Sequence, residues 1–127
     1  MVIVDTSVWI EFLRGHQPYF DELSVLIADD QVLASATVFG ELLQGIKNKR
    51  EEKIILQFWS DLPKVPADVF EKSWIEAGLL SSKNKFYSKG IGLIDASLIS
   101  LAQITRAKLW TLDAAVMNAA GQLAVRI

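Results

Sequence analysis

Ile91-Gly92-Leu93-Ile94-Asp95-Ala96-Ser97-Leu98-Ile99-Ser100-Leu101-Ala102 is an apolar run with one carboxylate set inside it. A run of this composition sinks into a core, where an unpaired ionised aspartate is costly or takes up a proton. Asp95 therefore needs a partner. It could cap a helix that starts at Ala96, since aspartate accepts well from first-turn N–H groups. It could equally be one ligand in a cluster of acids around a cation. The choice, and the fold with it, rests on what flanks the run.

Downstream, Lys108-Leu109-Trp110-Thr111-Leu112 alternates into a strand that ends at Asp113. A short helix over 114–120 follows, ended by Gly121, and 123–127 reads as a last strand. Upstream, 81–90 is polar, basic and ended by glycine, the composition of a surface loop. Asp68 and Glu71 make a D-x-x-E capping box that opens a helix through Val69, Trp74, Ile75, Leu79 and Leu80. Leu62-Pro63-Lys64-Val65-Pro66 is an edge strand at most, because each proline removes a ladder donor. Ile54, Ile55, Phe58 and Trp59 define an amphipathic helix over 51–61.

Nearer the N-terminus, Val32-Leu33-Ala34 reads as a strand, and Ser35 or Thr37 caps a helix carrying Phe39, Leu42, Leu43 and Ile46. A helix from about Pro18 buries Phe20, Leu23, Leu26 and Ile27. Val2-Ile3-Val4 is a short buried strand ended by Asp5-Thr6-Ser7, after which Val8, Trp9, Phe12 and Leu13 mark a helix that stops at Gly15. Four or five short strands separated mostly by helices, without hairpin signals, predict an α/β fold: a three-layer αβα sandwich around a mostly parallel four- to five-stranded sheet. At 127 residues one domain, 1–127, is expected.

Composition narrows the function. Hydrophobic residues make up 51%, yet no apolar run approaches the ~18–20 uncharged residues that span a bilayer. An acid at position 5 argues against an export signal. With no cysteine, disulfides and thiolate metal sites are excluded and a reducing cytoplasm fits. His16 is the single histidine, so a histidine acid–base pair within one chain is excluded. Net charge is −2, but Lys47, Lys49, Arg50 and Lys53 form one basic group. Lys83, Lys85 and Lys89, interleaved with Phe86 and Tyr87, form another. Both are solvated faces by composition, and both could bind a substrate backbone.

In an open parallel sheet the ligand site lies beyond the carboxyl ends of the strands. Asp5 and Asp113 end strands there, and Glu41 and Asp95 fall near helix starts that could return to the same rim. Four carboxylates so close cannot all ionise without a cation, and hard oxygen ligands favour Mg²⁺ or Mn²⁺. An acid-ringed Mg²⁺ beside basic segments points to phosphodiester hydrolysis, with the lysines holding the substrate backbone.

The opening Val2-Ile3-Val4-Asp5-Thr6-Ser7, then Glu41, then Gly90-Ile91-Gly92-Leu93-Ile94-Asp95-Ala96, then Thr111-Leu112-Asp113 resembles the PIN-domain family, more narrowly the VapC-type toxins of toxin–antitoxin pairs. The resemblance implies a Mg²⁺- or Mn²⁺-dependent endoribonuclease. Asp5, Glu41 and Asp95 match the family's core acids and Asp113 the fourth, while Thr6 or Ser7 and Thr111 match supporting hydroxyls. It also implies an RNA substrate, homodimerisation and a cognate antitoxin whose tail crosses the active-site groove, with Trp59 and Trp74 among its candidate contacts. The family pattern is departed from after Asp113, where Ala114-Ala115-Val116-Met117-Asn118 lacks the charged or polar residue and aromatic of many relatives. A non-catalytic PIN-like RNA- or protein-binding module is the alternative. A receiver-like phosphotransfer domain lacks its paired acids, and Gly90-Ile91-Gly92 does not complete a dinucleotide-binding glycine motif.

Overall fold

A computed structural model describes residues 1–125. Its centre is a parallel pair, β1 (Val2–Val4) and β2 (Lys108–Trp110), in the register Val2 with Lys108, Ile3 with Leu109 and Val4 with Trp110. Ile3, Val4, Leu109 and Trp110 are all buried, so the pair is covered on both faces, as parallel strands require. Single parallel bridges continue the pairing outward: Val2 to Val32, Ala34 to Lys64, and Leu109 to Ala124. The expected four- to five-stranded sheet is thus resolved as two strands and three bridges. The outer segments are too short to hold a ladder, and Pro63 and Pro66 flank one of them. Of the strand expected over 123–127, Ala124 forms the bridge, and residues 126 and 127 lie outside the described residues.

Among the described residues seven α-helices pack around this centre: α1 (Thr6–Leu13), α2 (Tyr19–Ala28), α3 (Ala36–Gln44), α4 (Lys49–Asp61), α5 (Ala67–Asn84), α6 (Leu93–Thr105) and α7 (Ala114–Ala120). α6 is the axis of the molecule: every residue from Ala96 to Ala102 is buried. It lies along α5, which turns Ser73 and Ala77 inward, small residues that let the two backbones approach. A second nucleus is aromatic. Trp9 meets the rings of Phe12, Phe39 and Phe58 at 5.6, 5.4 and 5.4 Å, tying α1 to α3 and α4. No helix among the described residues is long and apolar enough to cross a membrane.

Several helix starts differ from expectation. α6 begins at Leu93 with Gly92 as N-cap, so Asp95 stands in the first turn rather than at the cap. α4 begins at Lys49, because Asn48 accepts from Glu51 N at 2.9 Å and Glu51 Oε2 accepts from Lys47 N at 2.8 Å, a reciprocal cap. α5 starts at Ala67 behind Pro66, and Asp68 makes no capping bond: the proline's fixed φ sets the entry instead. The expected loop over 81–90 is the last turn of α5, then Lys85 in the left-handed region (φ 54°), then a 3-10 turn over Phe86–Lys89. Buried Phe86 holds this segment against the core, which polar composition alone did not reveal.

Candidate active site

Asp5 leaves β1 at the carboxyl end of the parallel pair, and its N–H donates to Trp110 O at 2.9 Å, locking it beside the end of β2. It caps α1 as well, accepting from Thr6 N on Oδ1 at 2.7 Å. Its other oxygen accepts from Thr111 Oγ1 at 2.9 Å and from Ser7 Oγ at 3.2 Å. A carboxylate that is only 9% exposed is thereby met on both oxygens. Thr6 Oγ1 in turn donates to Glu41 Oε1 at 2.9 Å, which ties α3 to the head of α1. Thr111, 1% exposed, also accepts from Asp113 N at 3.1 Å, and Leu112 N donates to Ser7 Oγ at 3.2 Å. Asp113 caps α7, accepting from Val116 N at 3.1 Å.

Asp95 arrives from the opposite element. Burial, then the negative charges of Asp5, Asp113 and Glu41, raise its pKa above the usual carboxylate range, while the Gly92 backbone N–H pulls the other way. Asp95 is therefore not the cap of a helix starting at Ala96: Gly92 takes that position, and Asp95, in the first turn of α6, feels the charge of three other acids. Thr6, Ser7 and Thr111 link the segments of Asp5, Glu41 and Asp113, while Asp95 is related to these acids by charge alone. The acids stand at charge–charge range: among the described residues, no three histidine or carboxylate groups lie close enough to enclose an ion as the side chains stand. The donor set is nonetheless all oxygen, the ligand type that a hard cation prefers.

The basic residues divide. Lys47 joins Thr6, Ile10, Leu13 and Arg14 around a groove of about 240 Å³ that ends at Glu41. Arg14 carries no motif and escaped the sequence reading, although two helical turns separate it from Ser7. Lys49 pairs with Glu52 at 3.2 Å on the outer side of α4, where it meets substrate only if the substrate extends past the groove; Arg50 is exposed beside it. Lys83 and Lys85 are exposed at the end of α5, and Lys89 lines a second cavity. Trp59 is half-buried against Phe39 at 5.3 Å under the Lys64 ammonium, and Trp74 packs edge-on to Phe70. Both rings are therefore committed to packing within the chain, apart from the Glu41 groove.

A family model described as PIN domain matches residues 2–122. Ribonuclease VapC32 of Mycobacterium tuberculosis, in two strains, is 30% identical over 128 residues, spanning all of this chain and 96% of the relative. Among solved structures the fold is similar to a chain of VapBC2 from Rickettsia felis bound to a promoter DNA fragment (TM-score 0.63, 23% identity, 89% of this chain and 88% of that one). It is similar too to a chain of FitAcB from Neisseria gonorrhoeae (TM-score 0.65, 22% identity, 94% and 93%). The match along nearly the whole chain means that this protein belongs to the PIN-domain family.

Proposed function

We propose that the chain, as one domain over 1–127 built on a parallel sheet of four to five strands between helical layers, is an endoribonuclease that acts as the toxin of a toxin–antitoxin pair in the cytoplasm. The observation that supports this reading is geometric: Asp5 stands at the carboxyl end of the parallel pair with both oxygens held, Thr6 Oγ1 links its segment to Glu41, and Thr111 links it to Asp113. The relative named a ribonuclease supports the same reaction class. Asp5, Glu41, Asp95 and Asp113 would hold Mg²⁺ or Mn²⁺. Such an ion, when bound, supplies an acidified water and neutralises charge on the phosphate that is cut.

The chain's own contribution is positional. Thr111 and Ser7 fix one oxygen of Asp5 and the Thr6 N–H fixes the other, while Thr6 Oγ1 aims Glu41. Asp113 is held by its role as cap of α7. These bonds leave the carboxylates oriented before substrate arrives, so little reorganisation is needed at the moment of reaction. Lys47, Lys83, Lys85 and Lys89, with Lys49 and Arg50 farther out on α4, would hold the RNA backbone.

The groove bounded by Ile10, Leu13 and Glu41 would receive the antitoxin. Ile10 and Leu13 are 37% and 38% exposed, and an Arg or Lys from the partner could pair with Glu41 at its end. A second copy of the chain would cover Ile75 and Leu79, which stand 69% and 62% exposed on α5.

The test is cleavage of unstructured and structured RNA by the purified chain in Mg²⁺, in Mn²⁺ and in EDTA, beside Asp5→Asn and Asp95→Asn. Metal-dependent cutting lost in both variants is expected. RNA left intact under every metal, or cut equally by both variants, would replace this reading with a non-catalytic binding module.

A further inference from the structure

A cavity of about 580 Å³ opens between α5, the 3-10 turn, α6 and α7, away from the Glu41 groove. Phe86 and Ile91 lie buried beneath it, and half-buried Leu80, Ala115 and Ala119 give it an accessible apolar wall. Asn84, Gln103 and Asn118 bring three amide side chains to its walls, and Lys89 stands at its edge. No carboxylate lines it, although it adjoins a rim carrying four. It meets that rim through Ile91, four residues before Asp95, and Ala115, two after Asp113. Gln103 lies eight residues beyond Asp95 on α6, about 12 Å along the helix axis. The cavity is thus placed to hold the neighbour of whatever is cut at the acids.

The chemistry of the walls selects the occupant. An amide side chain offers a carbonyl acceptor and an NH₂ donor, the pair that reads the edge of an unpaired base. Asn84 Nδ2 donates to Leu80 O at 2.9 Å. That carbonyl can only accept, so the amide's orientation is fixed and Oδ1 is left free for a donor such as an exocyclic amino group. Gln103 and Asn118 have no side-chain hydrogen-bond partner among the described residues, and both are exposed. A flat ring suits the apolar wall of Leu80, Ala115 and Ala119, amides its edge and a lysine the phosphate that follows. We infer that this cavity binds an unpaired nucleotide flanking the scissile bond, and that Asn84, Gln103 and Asn118 set which sequence is cut. The inference rests on the ribonuclease reading for its consequence in cleavage and on the cavity alone for binding.

Its test follows the side-chain NH₂ signals of Asn84, Gln103 and Asn118 by NMR in Asp95→Asn, expected not to cut, on titration with RNA dinucleotides of each base. Saturable shifts that differ between bases are expected. In parallel, cleavage sites on a long RNA are mapped for the parent, Gln103→Ala and Asn118→Ala. Each variant should lower the preference for the favoured base roughly five- to tenfold. Amide signals silent to every dinucleotide, or a cleavage pattern unchanged in both variants, would overturn the inference while leaving the nuclease standing. Responsive amides in a parent that cuts no RNA would uphold the nucleotide site and remove the nuclease.

Discussion

Thr111→Val separates the hydroxyl network from the shape of the side chain that carries it. The substitution keeps a branched side chain of the same size in a site 1% exposed. It removes the 2.9 Å donation to Asp5 Oδ2 and the 3.1 Å acceptance from Asp113 N. A hydrogen bond to a charged group contributes ~1.5–3 kcal/mol and an unmet N–H costs ~1–3 kcal/mol. Asp113 is exposed, so water takes over its N–H, and Ser7 remains on the same Asp5 oxygen. The net loss should therefore be about 2–3 kcal/mol. At roughly 2.1 cal/mol/K per residue over 127 residues, the unfolding entropy is about 270 cal/mol/K, and Tm falls by about 7–11 °C. Thermal melts followed by circular dichroism in EDTA read this directly. Thr111→Ser, which keeps the hydroxyl, is the control and should recover most of the loss. The reasoning is refuted if Thr111→Val melts within about 2 °C of the parent, or if Thr111→Ser falls as far.

Asp95→Asn should raise Tm at neutral pH in EDTA: a carboxyl whose folded pKa lies above its unfolded value is a stability cost above the folded pKa, and that cost vanishes below the unfolded value near 3.8. Melts from pH 3 to 8 should show the two curves converging as pH falls, and a gap that widens in acid would sink the assignment. Asp113→Asn keeps a good cap and loses the charge, so it should match the parent in urea denaturation yet lose RNA cleavage; Asp113→Ala should lose cleavage and about 1 kcal/mol of stability as well. Equal stability of the two variants would mean that the bond to Val116 N carries nothing. Trp9→Ala should cost about 3–5 kcal/mol in urea denaturation, since three aromatic rings close on the indole. A loss below about 1 kcal/mol would show that the aromatic nucleus collapses into the gap.

Residues with strong local signals were legible in advance. Val2–Val4, Lys108–Trp110, the cap at Asp5 and the stop at Gly15 follow from apolar runs bounded by a capping acid or a glycine, signals that need no distant contact. Asp5 and Asp113 stand at helix caps and Asp95 in a first turn, positions near segment ends that the sequence indicates, whereas Glu41, expected near a helix start, lies in the second half of α3. The start of α6 was not: Gly92 takes the cap and moves Asp95 into the first turn, a choice among neighbouring residues of similar capping strength. The path of 81–90 also escaped, because its polar composition outweighed Phe86, whose burial only the folded core reveals.

Sequence by itself determined the alternation of short apolar strands with amphipathic helices, since periodicity is a property of local residues. Tertiary structure alone decided which hydroxyl serves which acid. Thr6 reaches Glu41 across 35 residues and Thr111 reaches Asp5 across 106. Nor does any local pattern bring Asn84, Gln103 and Asn118 to one cavity. Such pairings depend on the parallel register of β1 with β2 and on how α5, α6 and α7 pack, and packing is settled by the whole core at once.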